Sequence, residues 1–171
     1  MLGYRLWGGD KTPESQRVKG DQIVVQWYVR FEQEAKKNQK LIEEAEELVR
    51  LWEAGDKETL TLWKKMSDWA LEGINATLER IDIKFDVASY ESKLWKAGKK
   101  VVASGLKKGV FKKDKSGAIL VEFPSPDLAS AQSPSPRGRG GGEGQLPSKI
   151  LLRSDGTAIY VTAALALGPA R

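Results

Sequence analysis

With 171 residues, 40% of them hydrophobic and six of them tryptophan, the chain has material for about one domain with a modest core. It contains no cysteine and no histidine, which excludes disulfides, the usual zinc sites, and Ser–His or Cys–His nucleophilic catalysis. The net charge of +5 is unevenly spread: residues 32–58 hold nine acidic against five basic side chains, whereas 93–115 hold nine lysines against Asp114 alone.

Residues 1–20 are expected to be irregular, because Gly8-Gly9 and Pro13 interrupt any period. No stretch reaches the ~20 apolar residues of a membrane span, and the start lacks the layout of a secretory signal, so a cytoplasmic location is expected. From Asp21, a plausible N-cap, Ile23, Trp27 and Phe31 recur every four residues with Val24 and Tyr28 beside them, which predicts a helix. A second helix carries Leu41, Ala45, Leu48 and Trp52 and stops at Gly55. Asp56 then caps a third, longer one with Leu60, Trp63, Met66, Ala70, Ile74 and Leu78 on one side. Three amphipathic helices with short connections predict a small antiparallel bundle.

"IDIKFD", residues 81–86, alternates as a short strand would. Residues 89–106 read as a helix with Tyr90, Leu94, Ala97 and Val101 inward and lysines outward. "VFKKDKSGAILVEF", 110–123, reads as a hairpin turning at Asp114–Gly117. Residues 124–148 hold five of the seven prolines and almost no large apolar side chain, so they are expected to be a disordered linker. The tract "RGRGGG" inside them has two readings, a contact with single-stranded RNA or plain linker. In 149–168 two β-rich runs flank Ser-Asp-Gly-Thr; they look like strands whose parent sheet the chain does not encode. The lysine-rich 93–115 likewise has two readings: an electrostatic footprint for an anionic partner such as nucleic acid, or a solvated helix face followed by a polar hairpin.

Several of these motifs occur together in one family. "LW–MSDWALEG" within 55–101, the "KFD" run, the Tyr-Glu-Ser helix start, the hairpin "GLKKGVFKKDKSGAILVEF" and "LLRSDGTAIYVT" resemble, in that order, arginyl-tRNA synthetase, a class I aminoacyl-tRNA synthetase. The helix "KGDQIVVQWYVRFEQEA" matches more loosely. The resemblance covers roughly residues 10–123 and 149–162. It implies an ATP-dependent ligase that joins arginine to tRNA through an arginyl-adenylate, with magnesium as the counter-ion of ATP. The implied fold is a Rossmann-type domain split by an insertion. Residues 21–123 correspond to the insertion and 149–171 to a truncated start of the second half. The fold expected of this chain is therefore mostly α with a small α+β part: a helical bundle plus a hairpin, then a remnant of the split domain.

The resemblance also shows departures. The family holds ATP with a histidine motif, and this chain has no histidine. Its lysine-bearing loop has no equivalent here; "KKMS", 64–67, falls inside the third helix with Met66 on the apolar stripe. No catalytic residue and no metal ligand is assigned. Ser154, Asp155, Gly156 and Thr157 form the signature loop, and Tyr160 matches a family position that contacts substrate arginine, its alternative reading being a packed strand-end aromatic. A partnering Asp four residues on is Ala164 here. Without that carboxylate a buried guanidinium would lose its bidentate partner, at about 3–5 kcal/mol.

These features lead to three expectations for function. The first is an arginine–tRNA ligase family member, inactive alone, from a truncated or frame-shifted gene. The second is a non-catalytic basic RNA-binding module in which Lys96, Lys99, Lys100, Lys107 and Lys108 contact tRNA. The third is a helical protein-interaction module using the acidic residues Glu43–Glu47.

Overall fold

The computed structural model describes residues 1–123 and 148–168. These form two compact units, Met1–Val87 and Ala88 onward. The bulk of the linker expected over 124–148, with its Arg-Gly tract, lies outside the described residues, as does the tail 169–171.

The first unit holds five helices: α1 (Leu2–Trp7), α2 (Pro13–Gln16), α3 (Gly20–Ala35), α4 (Gln39–Ala54) and α5 (Lys57–Arg80). The expected three-helix bundle corresponds to α3–α5, joined by short connections. Its core is Ile23 and Trp27 of α3 with Met66 of α5 and Tyr4 of α1, lined by Leu62 and Trp69. Residues 1–20, expected to be irregular, instead supply α1 and α2. Tyr4 explains why: its ring meets Trp27 and Trp69 edge-on at 6.1 and 5.4 Å, and Lys65 donates to its hydroxyl at 2.9 Å. Burial of that ring outweighs the glycines that follow it. Thr12 caps α2 by accepting from the Ser15 amide, and Pro13 stands at its first turn.

Gly55 ends α4 in the left-handed conformation (φ 85°), and Asp56 caps α5 by accepting from the Thr59 amide at 2.8 Å, both as expected. Asp21, expected as a cap, lies in the first turn of α3; Lys19 holds the cap position. The predicted stripes are displaced. Tyr28 and Ile74 are exposed, and α5 buries Thr59, Met66 and Gly73. From Met66 the predicted stripe of α5 steps in fours, each over-rotating by about 40°, so it leaves the contact face by Ile74. The packed seam runs 59–62–66–69–73, alternating threes and fours. Gly73 lets α5 approach α3 so closely that a Cβ there would overlap Asp21.

"IDIKFD" is not a strand. After α5 the chain turns at Asp82 (φ 51°), and 81–90 contain neither helix nor strand.

The second unit contains α6 (Glu91–Lys107), β1 (Lys112–Lys113), β2 (Ile119–Glu122), β3 (Ser148–Leu152) and α7 (Tyr160–Ala164), then a short 3₁₀ turn at Leu165–Leu167. The hairpin turns at Asp114–Gly117 as read from sequence. Asp114 accepts from the amides of Ser116 and Ala118, and Gly117 takes a positive φ of 94°. The Ser116 hydroxyl, and then these amides, hold the Asp114 carboxyl below the usual carboxylate range. The sheet is antiparallel in the order β1-β2-β3, with Lys112 opposite Leu120, Leu120 opposite Ile150 and Glu122 opposite Ser148. Thus the first β-rich run of the C-terminal segment, expected to lack a parent sheet, finds one in the hairpin. The second run is helical from Tyr160. Val102, Leu151 and Leu152 form the core, with Phe111, Ile119, Val161 and Leu165 around them. The contact face of α6 is Gly98 and Val102, rotated about 80° from the predicted Tyr90–Val101 stripe, because a glycine contact carries no apolar signal in the sequence.

Among the described residues the fold is therefore mostly helical with one small antiparallel sheet.

Candidate functional site

Ser154, Asp155, Gly156 and Thr157 form a turn between β3 and α7 that satisfies its own polar groups. Asp155 Oδ1 accepts from the Thr157 amide at 2.9 Å and from its hydroxyl at 2.7 Å. Gly156, at φ 80°, donates its N–H to the Arg153 carbonyl, and the Arg153 N–H donates to the Thr157 carbonyl at 3.1 Å. The Arg153 guanidinium then clamps the far side, donating to Thr157 Oγ1 at 3.2 Å and to the Ala158 carbonyl at 3.0 Å. The result is a rigid lead-in to a helix, built by an Asx turn and one left-handed glycine.

Tyr160 is the first residue of α7. The residue is 60% exposed, and Lys149 Nζ lies 5.5 Å from the ring centre. It is not a packed aromatic. Ala164, one turn on, is exposed on the same helix. The pair therefore presents a phenol beside a methyl group on an open surface. The buried-charge cost expected for the missing carboxylate belongs to an enclosed site; at this exposure a salt bridge is worth about 0–1 kcal/mol.

Thr162 and Gly98 position this surface, and pattern reading missed both. Thr162 is fully buried; its hydroxyl accepts from the Ile159 amide at 3.0 Å and donates to the Leu151 carbonyl, tying α7 to β3. Gly98 lets α6 lie against α7: a Cβ there would overlap the Thr162 carbonyl oxygen. A lone glycine amid good helix formers was the available signal.

On α6, Lys93, Lys96, Lys100 and Lys107 share one face, spanning about 60° of arc and lying opposite Gly98 and Val102. Of the five lysines singled out from sequence, Lys96, Lys100 and Lys107 stand in this row. Lys99 lies to one side, half-buried, with its Nζ 5.1 Å from the centre of the Trp95 ring; Lys96 reaches the same ring at 5.4 Å. Lys108 follows the helix as its C-cap, off the row. In the hairpin, Lys112 pairs with Glu122 at 2.5 Å.

A sequence model of the family described as tRNA synthetases class I (R), catalytic domain, matches residues 8–171. The chain belongs to this family. Among curated relatives, the arginine–tRNA ligase of Treponema denticola is 40% identical over 164 residues, and those of Amoebophilus asiaticus and Borrelia hermsii are each 36% identical, over 179 and 162 residues. In all three comparisons 95% of this chain is covered but only 25–27% of the relative. The chain thus spans about a quarter of the length of these arginyl-tRNA synthetases. The family match runs through the Pro/Gly/Ser-rich stretch as well as the structured parts.

Among the described residues no three acidic, histidine or cysteine side chains converge on one point. The helix behind the signature turn is only five residues long, which limits the dipole it can offer a phosphate. Among the described residues, no helix is long and apolar enough to cross a membrane.

Proposed function

We propose that this chain supplies part of an arginine–tRNA ligase: an arginine-side surface at Tyr160 and a tRNA-backbone contact on α6. In this reading residues 149–171 begin the second half of the split Rossmann-type domain, and residues 21–123 belong to its insertion. Amino-acid activation needs groups from elsewhere, since the chain has no histidine to hold ATP. The proposal includes a cytoplasmic setting, and it takes ATP with magnesium, arginine and tRNA as the partners of the complete enzyme.

The observation that carries it is the lysine row on the outer face of α6, opposite the face that packs. A row of lysines on one face of a helix is suited to contact with phosphates. Four lysines meeting four phosphates release counterions in proportion, so log affinity should fall against log salt with a slope of about −3. Fluorescence anisotropy with tRNA between low and physiological salt measures it. Lys96→Gln together with Lys100→Gln should reduce the slope by about 2. Binding that is indifferent to salt, or unchanged in the double variant, refutes this assignment.

A further inference from the structure

The lysine row takes in Lys96, Lys100 and Lys107 of α6 but leaves Lys99 aside. Lys99 belongs instead with Trp95. At about 100° per residue, these two side chains stand about 40° apart around the helix, and Lys96, at the near edge of the row, follows about 60° further on. The contacts agree with that order: Lys99 Nζ lies 5.1 Å and Lys96 Nζ 5.4 Å from the centre of the half-buried Trp95 ring. Tyr90, at the entry to the helix, repeats the pairing, with Lys93 Nζ 5.6 Å from its ring centre. No acidic residue stands between Glu91 and Asp114 in the sequence. The first turns of α6 therefore interleave aromatic rings with ammonium groups at the border of the cationic face.

We propose that Trp95 is a stacking platform for an unpaired RNA base, with Lys96 and Lys99 meeting the phosphates that flank that base. The inference rests on the reading of α6 as an RNA-backbone contact and adds what else the helix reads: an exposed base. Phosphates are common to duplexes and single strands, so a row of lysines does not tell them apart. An aromatic ring among the lysines does, because only an unpaired base has its own π face free to stack. Lys96 is exposed, so the side of the indole that it reaches is open to solvent. Both lysines end flexible four-carbon stems. A base that takes their place against the ring leaves the two ammonium groups beside its own phosphates. Trp95 is the platform rather than Tyr90 because two ammonium groups meet its ring, against one at Tyr90.

The test is fluorescence anisotropy of the full chain with two labelled probes of about twelve nucleotides, a single-stranded RNA and an abasic strand carrying the same phosphates. At equal salt the base-bearing strand should bind about tenfold more tightly, the contribution of one stacked base. Trp95→Leu, which keeps an apolar side chain at this half-buried position, should remove that preference and leave the slope of log affinity against log salt unchanged. Trp95→Phe should restore part of the preference. Equal binding of the two strands by the wild-type chain overturns the inference, as does a folded Trp95→Leu protein that keeps the full preference. A second measurement needs no variant: 4-thiouridine in the single strand should photo-crosslink to the peptide containing Trp95, and crosslinking only elsewhere overturns the inference. Salt-dependent binding without a base preference defeats the stacking platform alone. A base preference carried by Trp95, in binding that is indifferent to salt, defeats the lysine row alone.

Discussion

Replacing Gly98 by alanine sets two opposite effects against each other, and the structure decides the sign. In a helix interior, alanine is favoured over glycine by about 1 kcal/mol. At Gly98, however, the new Cβ would overlap the carbonyl oxygen of Thr162 and lie 3.2 Å from the Ala163 nitrogen. These are backbone atoms and cannot rotate away, so α6 and α7 must separate. Overpacking of this kind costs about 1–3 kcal/mol. Movement of α7 also strains the buried Thr162 hydroxyl bond to Leu151, whose loss would add about 1–3 kcal/mol. The net expectation is a loss of about 1–5 kcal/mol in the second unit. Urea unfolding followed by circular dichroism gives the magnitude, and amide exchange over 148–164 shows where it falls. Ala103→Gly, on the exposed side of the same helix, is the control and should cost about 1 kcal/mol from propensity alone. A Gly98→Ala protein as stable as the wild type, or more so, would refute the close approach of α6 and α7.

Thr162→Val keeps the shape but leaves the Leu151 carbonyl and the Ile159 amide without this partner, so a loss of about 1–3 kcal/mol is expected, with Thr162→Ser much milder by thermal unfolding. Asp56 is held below the usual carboxylate range chiefly by the Thr59 amide that it caps. A lowered folded-state pKa contributes stability above the unfolded value of about 4 and loses it as pH falls through the folded value. Asp56→Asn, which caps without titrating, should therefore flatten the acid limb of a stability–pH curve; an unchanged limb would remove Asp56 as its source.

The elements that sequence placed well are those whose local chemistry is self-contained. Gly55 and Asp56 punctuate α4 and α5 through a left-handed φ and a side-chain cap, and the Asp114–Gly117 turn closes on itself. The helix at Leu2–Trp7 was not legible, because it depends on Tyr4 finding Trp27 and Trp69, far away in sequence. The contact faces of α5 and α6 were displaced in part because glycines at 73 and 98 let neighbouring helices approach closely, and an absent side chain leaves no mark on a hydropathy pattern. At the candidate site, Ser154–Thr157 and Tyr160 were visible as a motif. The buried Thr162 that orients them was not, since its role depends on a carbonyl in the neighbouring strand.

The period-two pattern at 81–86 marks the opposite case: a strand signal is present, yet these residues are neither helix nor strand.

The most direct measurement of the central claim is arginine-dependent ATP–pyrophosphate exchange by the purified 171-residue chain, with Treponema denticola arginine–tRNA ligase as the positive control. The chain should show no exchange above background at any arginine concentration, while still binding tRNA in low salt. Exchange dependent on both arginine and ATP would show that nucleotide and amino acid are gripped here without a histidine motif, and would contradict the account.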